Sequence, residues 1–578
     1  MRTMAEKTER QDTCAESMRE AAMGDLRVKV TRRHFIQGLG LLSTSAALAA
    51  CAQPGGEQAS SDAKPDPLFV IIHTNDTHGH DVEVEATEET DGNFSMAAVA
   101  ALKADWEEQG YEVLLVDAGD ATQGMPLVDT KHGSSAIAFM NSCGYDLMAV
   151  GNHEFDWGQD NLEAVENQAD FPLLSANVLH KDTGEPRFVP NRVIELADGV
   201  KVGFFGLTTP ATLTSTNPKN VADLTFLQDD ELFACAQAQV DELRVGGCDI
   251  VICVGHLGND ETGRGSTSKA VLEHVTGIDL FVDGHDHQEV EEEVAGTLLV
   301  ETGCYMHNIG VVVIDNGVPS NEPVAYGSYD GIDAATQAII DEADAEVEKE
   351  LGVVLGETPF FLDGERDPGV RTHETNLGDF CADAFKWTAE QELGLPVDAG
   401  LTNGGGIRVS VEPGDISLKV IKSVLPYSND LSVLKLTGAQ LLEALEAATQ
   451  GIGQGSALGA FPQVSGITFT LDASVPYEEG PIYPDSTVIS PATPGARVRI
   501  DDVGGRGFSL DETYTLATVS FLCEGGDTYY VFKEASDAEQ PVTFGYDFEA
   551  FASYLVEACG HTVPEQYAEP QGRITILG

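Results

Sequence analysis

Five short apolar runs between Leu68 and about Asp315 each give way abruptly to side chains that bind metals or move protons. Leu68–Ile72 leads into His73-Thr74-Asn75-Asp76-Thr77-His78-Gly79-His80, and Val113–Val116 into Asp117-Ala118-Gly119-Asp120. Leu147–Val150 leads into Gly151-Asn152-His153-Glu154-Phe155-Asp156, Ile250–Val254 into Gly255-His256, and Leu280–Val282 into Asp283-Gly284-His285-Asp286-His287. With Val202–Phe205 and helix-like stretches between them, these runs read as strands of an α/β domain, apolar throughout because both faces are buried. The carboxyl ends of strands in open α/β sheets form the functional crevice, so five separate segments should deliver Asp, Asn and His to one edge.

A single histidine after a strand is most often a satisfied polar residue. Five turns that all carry ligand-type side chains are not explained that way. The set offers oxygen and imidazole without thiolate, which argues against a cysteine-rich structural zinc site. It suits two borderline divalent ions (Zn, Mn, Co or Fe) with positions open to water. Two ions fit the count: Asp120 bridges, Asp76, His78 and His287 complete one site, and Asn152, His256 and His285 the other. Such a pair acidifies water into a nucleophile and polarises a phosphoryl oxygen.

The succession Asp-x-His, Gly-Asp, Gly-Asn-His-Glu, Gly-His and Gly-His-x-His resembles the calcineurin-like metallophosphatases. His73–His80 and Gly151–Asp156 resemble specifically their 5′-nucleotidase branch, which includes bacterial UDP-sugar hydrolases. The resemblance implies the same ligand assignment, with Asp120 as the bridge and His287 at a position where members carry histidine or glutamine. It makes His153 and Asp156 the catalytic pair, with His153 bonding a phosphoryl oxygen or assisting the leaving alkoxide. Asp117 is expected to be structural, and His73 and His80 to lie near the site without ligating.

Three clusters stand out after Gly356: Arg371–Gly378, Asn403–Arg408, and Phe521–Asp527, the last accompanied by Leu425–Asn429. Each alone reads as a glycine turn or a solvated charge; together they resemble the 5′-nucleotidase C-terminal domain. By that resemblance Arg371 and Arg408 hold phosphate, and Asn403 and the glycine amides beside it, Gly405 included, add donors. Tyr427, where members often carry phenylalanine, and Phe521 sandwich the base, and Asp527 accepts from the ribose hydroxyls. Arg366 lies near a position where some members use a further arginine, but out of register.

The expected plan is a calcineurin-like β-sandwich flanked by helices at 68–328, a linker helix within 329–355, and an α+β substrate-binding domain at 356–578. Ile332, Ala335, Ile339, Ala343, Val347 and Leu351 recur at helical spacing and predict the linker helix over Gly331–Leu351. Metals in one part and the nucleoside pocket in the other require the two to meet during catalysis, with that helix as the pivot.

Residues 1–50 read as an address, with Arg32-Arg33 before an uncharged stretch that ends Leu48-Ala49-Ala50-Cys51. This resembles a twin-arginine lipoprotein signal, which places the mature protein outside the cytoplasm of a bacterium, lipid-anchored through Cys51 and tethered by residues 51–67. Net charge is −63 over the 578 residues, so nucleic-acid polymers are repelled. A small anionic substrate then requires metals or clustered arginines to reverse the sign locally. Eight scattered cysteines remain beyond Cys14 and Cys51; Cys248 and Cys253 read as core residues, and nothing in the spacing chooses disulfide partners or an oligomeric state.

The function implied is a dimetal hydrolase releasing phosphate from nucleoside 5′-monophosphates, with nucleotide sugars and nucleoside di- or triphosphates as further substrates the family allows. The nearest rival is a 2′,3′-cyclic phosphodiesterase/3′-nucleotidase, whose members tend to carry asparagine where this chain has Asp156. A non-catalytic nucleotide-binding lipoprotein is the rival of a different class, and it has no use for a bridging Asp120.

Overall fold

The structure is a computed structural model that describes residues 68–86, 92–259, 265–484 and 486–578; the segments expected to be an export signal and a tether lie outside them. Strands form at all six expected runs: Leu68–Thr74, Val113–Asp117, Leu147–Ala149, Lys201–Thr208, Ile250–His256 and Leu280–Val282. Leu68–Thr74, Val113–Asp117 and Leu147–Ala149 lie parallel in one sheet, and Lys201–Thr208, Ile250–His256 and Leu280–Val282 lie parallel in a second. Phe69, Ile71 and Val116 from the first sheet share a core with Val202, Phe204 and Val254 from the second. Helices Asp229–Val245 and Ser268–His274 cover the second sheet's other face through Leu232, Val240 and Val271, and Met96–Glu108 packs on the first. Burial on both faces is the physical reason these strands lack polar alternation. Parallel strands end on the same side, which is how loops far apart in sequence converge.

The connecting helix spans Ala334–Leu351, with the Asp333 side chain accepting from Thr336 N–H at 2.8 Å. Its buried face runs through Thr336, Ile340 and Val347, whereas Ile339 is 40% exposed, so the stripe expected through Ala335, Ile339 and Ala343 is corrected by one residue. Adjacent isoleucines at 339 and 340 offered two faces about 100° apart. The face taken places the Thr336 hydroxyl 2.8 Å from that of Ser142. Lys419 ties the helix to the second half through Asp344 at 2.8 Å.

The second half is α+β. A five-stranded sheet (Pro462–Ser465, Ala399–Asn403, Thr513–Val519, Asp430–Thr437, Val542–Tyr546) packs against helix Asn376–Leu393. Thr375 caps this helix and left-handed Gly394, at φ 63°, ends it. Cys248 and Cys253 are buried in the core, and the eight described cysteines are free thiols. Among the described residues no helix is long and apolar enough to cross a membrane.

Candidate active site

All seven expected ligands gather at the strand ends. Potential donor atoms of Asp76, His78 and His287 lie within 4.8 Å of one another, as do those of Asp120, His256 and His285. Asp120 sits between the two groups, its Oδ2 3.1 Å from His256 Nε2 and 3.7 Å from His78 Nε2. Asn152 is 2% exposed, its N–H-bonding neighbour His153 being fixed to the Asp120 carboxylate. Five of the seven hold backbone φ in the left-handed region: Asp76 at 48°, His78 at 46°, Asp120 at 61°, His285 at 95° and His287 at 63°. Each such residue costs about 1–2 kcal/mol, a strain that persists only where surrounding contacts over-determine it.

Those contacts come from behind. Asp76 Oδ2 accepts from Asn75 Nδ2 at 2.8 Å and from His285 N–H at 2.9 Å, and Asp120 Oδ1 accepts from His153 N–H at 2.9 Å. His78 Nδ1 donates to Gln123 O at 2.9 Å and His256 Nδ1 to Ala118 O at 2.7 Å, which leaves each Nε2 with a lone pair. Asp76 Oδ1, His78 Nε2, Asn152 Oδ1 and His256 Nε2 are buried without a hydrogen-bond partner. Orphaned buried polar atoms cost about 1–3 kcal/mol each, a penalty that bound cations would remove. Burial holds the pKa values of His78 and His287 well below the usual imidazole value, so both are neutral, the form that ligates. At His256 burial is outweighed by Asp120 and Asp76, which raise its pKa, so a cation bound there would displace a proton. The donor set therefore fits two divalent ions.

His153 stands beside this group, its ring 5.2 Å from that of His78. Its Nδ1 lies 2.6 Å from Asp156 Oδ2, and the buried Thr216 hydroxyl donates to Asp156 Oδ1 at 2.6 Å. Burial alone would lower the His153 pKa, but Asp156 and Asp120 overcome it and raise the value. Asp117 accepts from the Thr74 hydroxyl and Gly119 N–H, while His73 packs against Gly310 and His80 stacks on Tyr305 at 4.3 Å.

A cavity of about 1280 Å³ joins this wall to the second half of the chain. It is lined by Asp120, Asn152, His153, Asp156 and His285 on one side and by Arg371, Asn403, Gly405, Arg408, Tyr427, Phe521 and Asp527 on the other. Asp527 N–H donates to Thr214 O at 2.7 Å across the two halves. Arg366, out of register in the sequence, also lines the cavity. Burial pushes the Arg371 pKa down to about 9, with Arg366 and Arg408 adding like-charge repulsion. Three guanidiniums thus make a local positive region in a strongly acidic chain.

Other details differ from expectation. Gly404 N–H bonds Phe461 O at 2.7 Å and Gly405 N–H bonds Gly459 O at 2.8 Å, so both amides already have backbone partners. At Gly405 a Cβ would lie 3.0 Å from Gly459 Cα, so its lack of a side chain serves close packing. Asn403 Nδ2 donates to Asp527 Oδ2 at 2.6 Å, pairing two residues that the sequence had suggested for phosphate and ribose separately. The Tyr427 ring lies 5.8 Å from that of His153 and 6.0 Å from Arg408 Cζ, and Phe521 packs on Gly526. Thr216 and Tyr305 escaped the sequence reading. Thr216 lies 60 residues from its partner Asp156. Tyr305 follows strand Thr297–Thr302, and its N–H bonds Asp76 O at 2.9 Å. A sixth strand end, Gly303-Cys304-Tyr305, was the available signal.

Comparison with known proteins agrees with this geometry. Residues 69–289 match the calcineurin-like phosphoesterase family and residues 354–534 the 5′-nucleotidase C-terminal domain. The chain is 31% identical over 565 residues to the trifunctional nucleotide phosphoesterase protein YfkN of Bacillus subtilis, covering 86% of this chain but only 35% of that much longer protein. It is 28% identical to a 5′-nucleotidase of Vibrio cholerae, covering 88% of this chain and 94% of the relative. The crystal structure of a 5′-nucleotidase precursor from Thermus thermophilus superposes with a TM-score of 0.72 at 27% identity, covering 88% of this chain and 99% of that one. The two matched domains in this order, with these relatives, make the chain a member of the 5′-nucleotidase family of calcineurin-like metallophosphatases.

Proposed function

We propose that this protein is a metal-dependent phosphoric monoester hydrolase that releases phosphate from nucleoside 5′-monophosphates. The observation that carries the reading is one cavity that reaches the clustered ligand-type residues at Asp120, Asn152 and His285 on one side and has three arginines with two aromatic rings on the other. Ions held by Asp76, His78 and His287, by Asn152, His256 and His285, and by Asp120 between them, would acidify water and offset charge on the phosphoryl oxygens. Arg371, Arg408 and Arg366 neutralise the incoming phosphate and orient it by their planar forks. His153 is held through Nδ1 by Asp156, so Nε2 is the atom that bonds a phosphoryl oxygen or protonates the leaving 5′-oxygen. Tyr427 and Phe521 bear on the base and Asp527 on the ribose hydroxyls. Nucleotide sugars fit the same reading as further substrates.

A substrate panel tests this. Metal-stripped protein reloaded with Mn²⁺ should release phosphate from AMP, and should do so poorly from 3′-AMP and 2′,3′-cyclic AMP. Release from only the latter two would reject the 5′ assignment, and intact AMP after prolonged incubation would favour a binding protein. Export and a lipid on Cys51 belong to the same proposal, supported by Arg32-Arg33 and Leu48–Cys51. Labelled fatty acid should be incorporated by the wild type and not by Cys51→Ser.

A further inference from the structure

Glu154 belongs to the loop that carries Asn152 and His153, yet it is 1% exposed and absent from the cavity wall. Its carboxylate accepts five hydrogen bonds. Oε2 takes the N–H groups of Asp120 at 2.9 Å and Gly151 at 2.7 Å. Oε1 takes the N–H groups of Ala121 at 3.0 Å and Thr122 at 3.2 Å, and the Thr122 hydroxyl at 3.1 Å. Amides from two strand-end loops thus converge on one internal anion, the arrangement by which backbone nests hold external anions.

The consequence falls on Asp120. That residue is left-handed, and its carboxylate is turned by His153 N–H so that Oδ2 faces both clusters. The two loops approach so closely that a Cβ on Gly151 would lie 2.2 Å from Asp120 Oδ1 and 2.8 Å from Glu154 Oε2. The bond from His153 N–H to Asp120 Oδ1 also joins the two loops, but the Glu154 carboxylate holds the most of their donors, one from Gly151 and four from Asp120 to Thr122. We propose that Glu154 is a positioning residue that locks the Asp120 loop to the Asn152–His153 loop and thereby sets the spacing of the two metal clusters.

The inference rests on the dimetal reading of the site, and its test reads ion binding directly. Glu154→Gln keeps the volume but turns an NH₂ toward amide donors, so either orientation of the side chain breaks one half of the clamp. Calorimetric titration of the stripped, folded variant with Mn²⁺ should show affinity at least tenfold weaker than wild type. At saturating Mn²⁺, kcat for AMP should fall ten- to hundredfold with KM changed less than twofold, because the nucleoside wall is untouched. Thr122→Val removes one of the five bonds and should move Mn²⁺ affinity the same way, by two- to fivefold. Wild-type affinity in Glu154→Gln overturns the proposal whatever happens to its melting temperature. Should that variant not fold, wild-type affinity in Thr122→Val overturns it equally. Since no nucleotide enters the titration, a wild type that binds Mn²⁺ but spares AMP defeats the substrate assignment alone.

Discussion

The two walls of the cavity are built on opposite principles. On the metal wall Asp76, His78, Asp120, Asn152 and His256 are almost fully buried, three of them in left-handed backbone, and Asp76, His78 and His256 each have one polar atom fixed from behind and another without a hydrogen-bond partner. On the opposite wall Arg371, Arg408, Tyr427 and Phe521 are half-buried side chains on backbone that is not left-handed, and Asp527, at φ 52°, is the exception. A dimetal centre tolerates little displacement, so rigidity is worth its strain there. A surface that takes different bases gains more from adaptable rings and forks. The difference predicts that damage to the first wall appears in turnover and damage to the second in substrate affinity.

The largest effect should come from His153→Ala. A positioned proton donor contributes about 10²–10⁴-fold, so kcat should drop by that range while elemental analysis still finds two ions per chain. His153 lies close enough to His78 and Asp120 to be mistaken for a ligand. Loss of an ion in the variant would show that it is one, and would move it from chemistry to metal binding.

A smaller effect belongs to the opposite wall. Tyr427→Ala with Phe521→Ala should raise KM for AMP about 10- to 100-fold, since each stacked base contact is worth about 1–3 kcal/mol and part of that survives as residual packing. An aryl phosphate, which needs no nucleoside clamp, should change less than about twofold on the same argument. Equal loss on both substrates would mean the rings support the phosphate pocket instead. Tyr427 is the ring to watch, because it lies against both His153 and Arg408.

Sequence made the metal wall legible because its constraints are local. A strand buried on both faces writes an apolar run, and the ligands follow within a few residues of its end, as in Ile250–Val254 before His256. Contacts that tie distant loops leave no such trace. Thr216 supports Asp156 from 60 residues away, and Glu154 reads as one more letter of a motif although it clamps a loop more than 30 residues earlier. The backbone partners of the glycines after Asn403 left no trace in the motif either: the Gly404 and Gly405 amides bond the carbonyls of Phe461 and Gly459, far along the chain.

The smallest effect tests the two walls through pH. Burial raises the pKa of Asp527 to about 6, with Asn403 and Arg371 pulling the other way. The ionised carboxylate accepts from hydroxyls more strongly than the neutral acid, one of whose oxygens becomes a donor, so nucleoside affinity is full above that value and declines as pH falls through it. KM for AMP should therefore rise severalfold between pH 7 and pH 5, with no matching rise for an aryl phosphate, which carries no ribose. Asp527→Asn should have a modestly raised KM at pH 7 and should lose this acid limb. An acid limb in KM that persists in Asp527→Asn would place the titrating group elsewhere, and one shared by the aryl phosphate would place it at the metal wall.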